Sequence, residues 1–195
     1  SLWDEKGKII YERESALAET VSLIKKGFIL AVKGLGGFHL IVDATNPESV
    51  QRLRKRKNRE EKPFALMYPS LEEIKKDCVV SNLEASLLTS SESPIVLLDK
   101  NPNSSRIAEE VAPEQSQHGV MLPYTPLHHL LMLELNIPVV ATSGNRSDEP
   151  ICIDEQEALE RLKGIADYFL VHNRPVVRHV DDSIVHVVLD KPILL

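Results

Sequence analysis

Four short stretches of this chain carry residues whose types and spacing could do chemistry. The first is Lys33-Gly34-Leu35-Gly36-Gly37-Phe38-His39. Three glycines after an apolar segment let the backbone approach a ligand and turn N–H groups toward an anion, and Lys33 adds a positive charge. The pattern is neither the phosphate loop GxxxxGK[ST] nor the dinucleotide turn GxGxxG. On spacing alone a glycine-rich hairpin turn is the plainer reading, and His39 by itself reads as a packed or surface imidazole. The second stretch runs from Arg52 to Lys62. It holds Arg52, Arg54, Lys55, Arg56, Lys57, Arg59 and Lys62 against Glu60 and Glu61, a net +5 in a chain of formal charge −6, so the remainder carries −11. Charge this concentrated on an acidic protein suits a polyanion, either a nucleoside triphosphate or RNA. A solvated helix face is the alternative, and no aromatic lies in the cluster for stacking on single strands.

The third stretch is Thr142-Ser143-Gly144-Asn145, directly after an apolar run. Ligands of α/β sheets sit beyond strand ends, where such a loop offers hydroxyl, amide and backbone groups; a simple turn uses the same residues. The fourth is Arg178-His179-Val180-Asp181-Asp182-Ser183. An arginine beside paired carboxylates could bind phosphate and organise Mg²⁺, or it could be a charged turn. No histidine pair has the HExxH form; His128 and His129 are neighbours in sequence and project in different directions. No GxSxG elbow is present and neither cysteine has an obvious activating partner, so covalent catalysis has little support.

These stretches need a scaffold, and the composition allows one. The chain has 195 residues, 43% of them hydrophobic and 27% charged, which suits one domain with a real core. The net negative charge excludes a generally basic nucleic-acid coat, though not a local basic patch. Cys78 and Cys152 form no CxxC pair and read as buried thiols of a cytoplasmic protein. No apolar run approaches the roughly 20 residues of a membrane span, and the start is no signal peptide. Residues 1–14 look like a linker remnant from an upstream domain, with the globular part spanning 15–195.

Hydrophobic periodicity predicts helices after Ser15, after a capping box of Thr45 and Glu48 with Pro47 in the first turn, after Ser70, Ser81 and Thr125, and after Asp154. Apolar runs predict strands at 28–32, 38–42, 64–68, 94–98, 138–141, 168–171, 183–188 and 193–195. Strands and helices alternate without strict order. The expectation is an α/β (α+β) fold: a twisted, mixed parallel and antiparallel sheet of about seven strands flanked by helices.

Taken together, the stretches AVKGLGGFHLIVDATN, LRKRKNREEKPFALM, SPIVLL, GVMLPYTPLHHLLM, VVATSGNRSDEPI and HNRPVVRHVDDSIV occur in an order and spacing that resemble the YrdC-like domain of HypF-type carbamoyltransferases, from about Ala16 to Leu195. The wider YrdC family is similar but differs in detail. Its threonylcarbamoyl-adenylate synthases keep a KxR ahead of an Asn-Pro pair, where this chain has Lys57-Asn58-Arg59 and then Lys62-Pro63. They share a Ser-x-Asn loop, here Ser143-Gly144-Asn145. They usually carry an arginine where this chain has Met121-Leu122, which weighs against threonine as substrate.

The resemblance implies a piece of a longer protein whose other domains act in cis, and a role in maturing [NiFe] hydrogenases. It implies a module that uses ATP, Mg²⁺ and carbamate derived from carbamoyl phosphate to make carbamoyl-AMP, with later transfer to a HypE-type acceptor. On that reading Lys33, His39 and Arg59 serve the reaction. Lys57, Arg59, Lys62, Ser143, Asn145, Arg178, Asp181, Asp182 and Ser183 hold the nucleotide, Gly34, Gly36 and Gly37 line the carbamoyl end, and Asp181 or Asp182 supports Mg²⁺. The resemblance also implies an open, concave, basic face, and the alternatives the family offers are threonylcarbamoyl-AMP synthesis for tRNA modification and double-stranded RNA binding on that face.

Overall fold

In the computed structural model, residues 1–195 are described except Glu60 and Asp148. The centre of the fold is a hairpin of β3 (Leu30–Lys33) and β4 (Phe38–Asp43), joined by the glycine turn. Strand β8 (Val139–Ser143) lies antiparallel to β4 and brings Ser143 opposite His39. From β8 the sheet continues through β5 (Ala65–Met67), β7 (Gln117–Met121), β6 (Ile95–Asp99), β10 (Ile184–Val188) and β11 (Lys191–Leu194). On the other side β3 pairs in parallel with β9 (Tyr168–Leu170), followed by β1 (Leu2–Asp4) and β2 (Ile9–Tyr11). The β5–β7, β6–β10 and β3–β9 pairs are parallel and the rest antiparallel, so the sheet is mixed as expected.

The sheet has eleven strands rather than about seven. Much of the difference lies in short strands without a run of their own. β1 and β2 have three residues each, and the apolar pattern of β7 is interrupted by His118 and Gly119. Part of the 1–14 segment lies within the sheet. Leu2 is fully buried, β1 pairs with β9, and the Val171 N–H donates to the Ser1 carbonyl at 2.9 Å.

Strand alternation sorts the core into two layers. Leu40 and Val42 pack with Val50 and Leu53 of α2 (Pro47–Lys57), together with α3 (Leu71–Asp77), α4 (Asn82–Leu88) and α6 (Glu155–Arg161). Leu30, Val32 and Ile41 face the other way, onto α1 (Arg13–Lys25) and α5 (Pro126–Leu135). Ser81 and Glu84 close a full capping box, and Ser70, Thr125 and Asp154 cap as expected. α2 starts differently. Asn46 accepts the Ser49 N–H, while the Thr45 hydroxyl bonds Asp43, because Asn46 stands immediately before Pro47 at the first helical position. Among the described residues, no helix is long and apolar enough to cross a membrane.

Beyond β9 the chain leaves the sheet as an irregular strap, residues 172–183, and crosses to the start of β10. It passes over a part of the sheet with a small-residue floor: Ala65 pairs with Gly119, and Ala141 lies on the neighbouring strand.

Candidate active site

The small-residue floor and the strap enclose a cavity of about 350 Å³. Arg59, Lys62 and Phe64 enter from the segment joining α2 to β5, and Thr142 and Ser143 from the end of β8. Val180, Asp181 and Asp182 come from the strap, and Ile95 and Ile184 are apolar walls. A second cavity of about 400 Å³ lies on the strap's other side, lined by Leu35, Gly36, Ser91, Glu92, Ser93, Tyr124 and Val180 to Ser183. Asp181 and Asp182 face both. One cavity thus joins cations to hydroxyl groups, the other is acidic, and they share a wall.

The strap is seated on the glycine turn. The Val180 N–H donates to the Gly36 carbonyl at 3.1 Å, and a Cβ on Gly36 would meet the Val180 carbonyl oxygen at 2.6 Å. Only glycine allows that approach. Within the turn the Gly34 N–H donates to Gly37 O at 2.8 Å, so that donor closes the turn rather than facing a ligand. Gly144 is pressed on β4 in the same way: its Cβ would lie 2.6 Å from the Phe38 carbonyl oxygen.

Lysine 57 is buried, and its ammonium is spent inside the protein. It donates to Ser143 O at 2.5 Å, Asn145 O at 2.8 Å and Asn145 Oδ1 at 2.6 Å. Ser143 Oγ donates to the same Asn145 Oδ1 at 2.7 Å. The Ser-Gly-Asn loop is therefore shaped from beneath by a lysine. Burial, then the charge of Arg59, and to a smaller extent Lys62, push Lys57 down to about 7, against an opposing effect of Cys152.

The +5 cluster resolves in the same way. Arg52 donates to Gly27 O and Arg54 to the Glu110, Val111, Arg59 and Lys62 carbonyls, while Arg56 pairs with Asp167 at 2.7 Å. Glu60, counted in that cluster, lies outside the described residues. Arg59 bonds the Lys62 and Pro63 carbonyls and stacks over Phe64 at 5.1 Å, yet still reaches the cavity. Burial, then Arg54, holds its guanidinium below its ordinary value. Lys62 and Lys55 are exposed.

Several expected residues sit elsewhere. Lys33 is buried and paired with Glu155 at 2.5 Å, tying β3 to α6 rather than meeting a ligand. Arg178 is exposed and lines neither cavity. Gly34 and Gly37 close on each other behind the strap. His39 is buried, with Nε2 3.4 Å from Asp182 Oδ2.

Two residues in this neighbourhood escaped the sequence reading. Tyr124 donates its hydroxyl to Asp182 Oδ1 at 3.5 Å, and its ring meets His128 edge-on at 4.8 Å. His128 was visible only as half of a histidine pair unsuited to metal; nothing local announced its burial beside His39. Burial, then the neighbouring His39, drives His128 down to about 3, so its ring is neutral. Burial raises the Asp182 carboxyl, but the hydrogen bond and charge of His39, with His128 and Tyr124, outweigh it and leave the group below its ordinary value.

Fold and site define a class: a mixed α/β domain with a small cavity, lined by two cations and two carboxylates, under a strand-crossing strap. A Sua5/YciO/YrdC family model, described as telomere recombination, matches residues 22–195, and the chain belongs to that family. It is 51% identical over its whole length to the carbamoyltransferase HypF of Synechocystis sp. and 46% identical over 92% of its length to that of Rhodobacter capsulatus. It spans about a quarter of the length of these relatives (25% and 24%). A crystal structure of full-length HypF in the phosphate- and nucleotide-bound form superposes with a TM-score of 0.92 at 45% identity, covering all of this chain and 25% of that one. Sua5 of P. abyssi complexed with L-threonine superposes with a TM-score of 0.82 at 18% identity, covering 95% of this chain and 54% of that one, which shows a shared fold.

Proposed function

We propose that this chain is the adenylate-forming module of a HypF-type carbamoyltransferase. A carboxylate oxygen of carbamate attacks the α-phosphorus of ATP, the bond between that phosphorus and the α–β bridging oxygen breaks, and pyrophosphate leaves with the bridging oxygen. The product is carbamoyl-AMP. The observation that carries the reading is the meeting of Arg59, Lys62, Ser143 and Asp181 around one cavity, in a chain similar throughout to HypF.

Attack in line requires two anions to be held close, and Arg59 and Lys62 supply the opposing charge. Ser143 Oγ, whose hydrogen goes to Asn145 Oδ1, offers its lone pairs to a nucleotide hydroxyl from a loop that Lys57 and Asn145 hold in shape. Asp181 faces both cavities and makes no hydrogen bond among the described residues. It fits Mg²⁺, which takes one or two carboxylates beside substrate phosphates; when bound, the ion neutralises phosphate charge. The strap and the apolar walls of Ile95 and Ile184 narrow the cavity that would hold a short-lived acid. The reading places the module in the cytoplasm, in line with two buried, unpaired cysteines, and among other domains that release carbamate and pass the carbamoyl group to a HypE-type acceptor for cyanide-ligand synthesis. Double-stranded RNA binding has less support, because Arg52, Arg54, Arg56 and Lys57 each spend hydrogen bonds on protein acceptors.

The test is mass spectrometry of the purified chain given Mg-ATP with ammonium carbamate, with bicarbonate and threonine, or with neither. Carbamoyl-AMP in the first mixture only is the expected result. Threonylcarbamoyl-AMP in the second, or no adenylate at all, refutes the assignment.

A further inference from the structure

Asp181 and Asp182 are adjacent and line the same two cavities, yet their surroundings differ. Both are exposed, but Asp181 makes no hydrogen bond among the described residues. Asp182 is tied from two sides, by His39 Nε2 at 3.4 Å and by the Tyr124 hydroxyl at 3.5 Å. These two come from different elements, β4 and the segment before α5, so the fold converges on this one carboxylate. Behind them lies His128, fully buried, its ring 5.7 Å from that of His39. Three ring nitrogens here, His39 Nδ1 and both of His128, are buried without a hydrogen-bond partner among the described residues. Orphaned polar atoms cost stability, and apolar residues would pack the same space without that cost. A polar cluster kept at this expense, directly behind a cavity wall, points to a task for the carboxylate it supports.

The chemistry of that task follows from the groups present. An ionised carboxylate accepts hydrogen bonds and donates none. With Nε2–H of His39 and O–H of Tyr124 already directed at it, its remaining lone pairs open onto the cavities. A ligand meeting it must bring a donor. Carbamate has one carboxylate end, which must face the α-phosphate beside Arg59 and Lys62, and one NH₂ end, which must face something else. Two adjacent carboxylates in two environments can take two roles.

We propose that Asp182, positioned by His39 and Tyr124, receives the amino group of the acyl substrate, so that the site selects a small carboxylate bearing N–H donors over one of the same shape without them. This rests on the adenylation reading above and names the residue that sets its acyl specificity. His39 and Tyr124 are positioning residues; they act through Asp182 and do not touch the substrate.

Acetate is the discriminating probe, because its methyl group replaces the amino group of carbamate at nearly equal size. Carbamoyl-AMP and acetyl-AMP are measured for the wild type and for Asp182→Ala, Tyr124→Phe, His39→Gln and His39→Leu, each with its melting temperature recorded. The wild type should prefer carbamate. Asp182→Ala should lower the carbamate-to-acetate ratio by about 10- to 100-fold, the range of a charge-assisted hydrogen bond. His39→Gln, whose amide nitrogen can stand where Nε2 does, should retain most of the preference, and His39→Leu should lose it. Tyr124→Phe, which removes one oxygen only, should fall between. A wild type that adenylates both acids equally, or an Asp182→Ala variant with an unchanged ratio, overturns this inference alone. A wild type that forms no carbamoyl-AMP overturns the adenylation reading and this inference with it.

Discussion

Replacing Lys57 by methionine keeps the buried alkyl stem and removes the titrating ammonium with its three donors. The absolute stability change mixes two opposing effects: three acceptors lose their partner, and a buried charge is removed. The pH dependence isolates one of them. In the unfolded chain the lysine titrates at its ordinary 10.5, whereas in the folded protein burial and Arg59 bring it to about 7. Below pH 7 both states hold the proton, and the contribution to stability is constant. Between about 7 and 10.5 the folded state has released a proton that the unfolded state still binds, so raising the pH favours folding by about 1.4 kcal/mol per unit. The stability of the wild type minus that of Lys57→Met should therefore rise by about 2 kcal/mol between pH 8 and 9.5, because the other titrating groups cancel in the difference. Urea unfolding of both proteins at pH 6, 8 and 9.5 measures it through the midpoints and slopes. A difference that stays flat from pH 8 to 9.5 would show that Lys57 keeps its proton, and that its three acceptors outweigh burial and the neighbouring cations.

Two further outcomes are expected. Leu2→Ala should destabilise the fold by about 2–5 kcal/mol, because Leu2 is fully buried in the sheet's second core layer, whereas a linker residue would give no change in the urea midpoint. Gly36→Ala should lift the strap from the glycine turn, because its Cβ would lie 2.6 Å from the Val180 carbonyl oxygen; faster proteolysis within residues 172–183 would register it, and an unchanged cleavage rate would show that the strap does not depend on that contact.

The elements that could be read from the sequence were those with a strong local cause. Ser81 with Glu84, Thr125 with Pro126 and Asp154 each mark a helix start that backbone N–H groups confirm. Long apolar runs such as Phe38–Asp43 read correctly because both faces of a central strand are buried. Elements fixed only by long-range pairing were illegible. Strand β1 has three residues and gains its place from β9, more than 160 positions away in the register Leu2 to Leu170. β7 carries a glycine and a histidine that weaken any strand signal; its glycine is there for the cavity floor.

The site shows a different limit, since residue type identifies a chemical capacity but not where that capacity is spent. Lys33, Lys57 and three arginines of α2 carry the charge a polyanion site would need, and the fold uses nearly all of it on its own carbonyls and carboxylates. What remains toward the cavity is Arg59 and Lys62, the two that follow the helix rather than lie on it. The physical reason is reach. Long cationic side chains on a helix packed against a sheet find backbone carbonyls within a turn or two, and a buried cation must be satisfied wherever it lies. In the loop between α2 and β5, Arg59 also bonds carbonyls, those of Lys62 and Pro63, but it does so while lining the cavity, and Lys62 beside it is exposed. A charge cluster in a sequence therefore points to the segment that carries an anion site, and the exit from its helix, not its centre of charge, is where the site opens. In this chain the same logic applies to the strap. Of the Arg178–Ser183 cluster, the exposed cation lines neither cavity while the two carboxylates line both, and one of them is fixed by His39 and Tyr124.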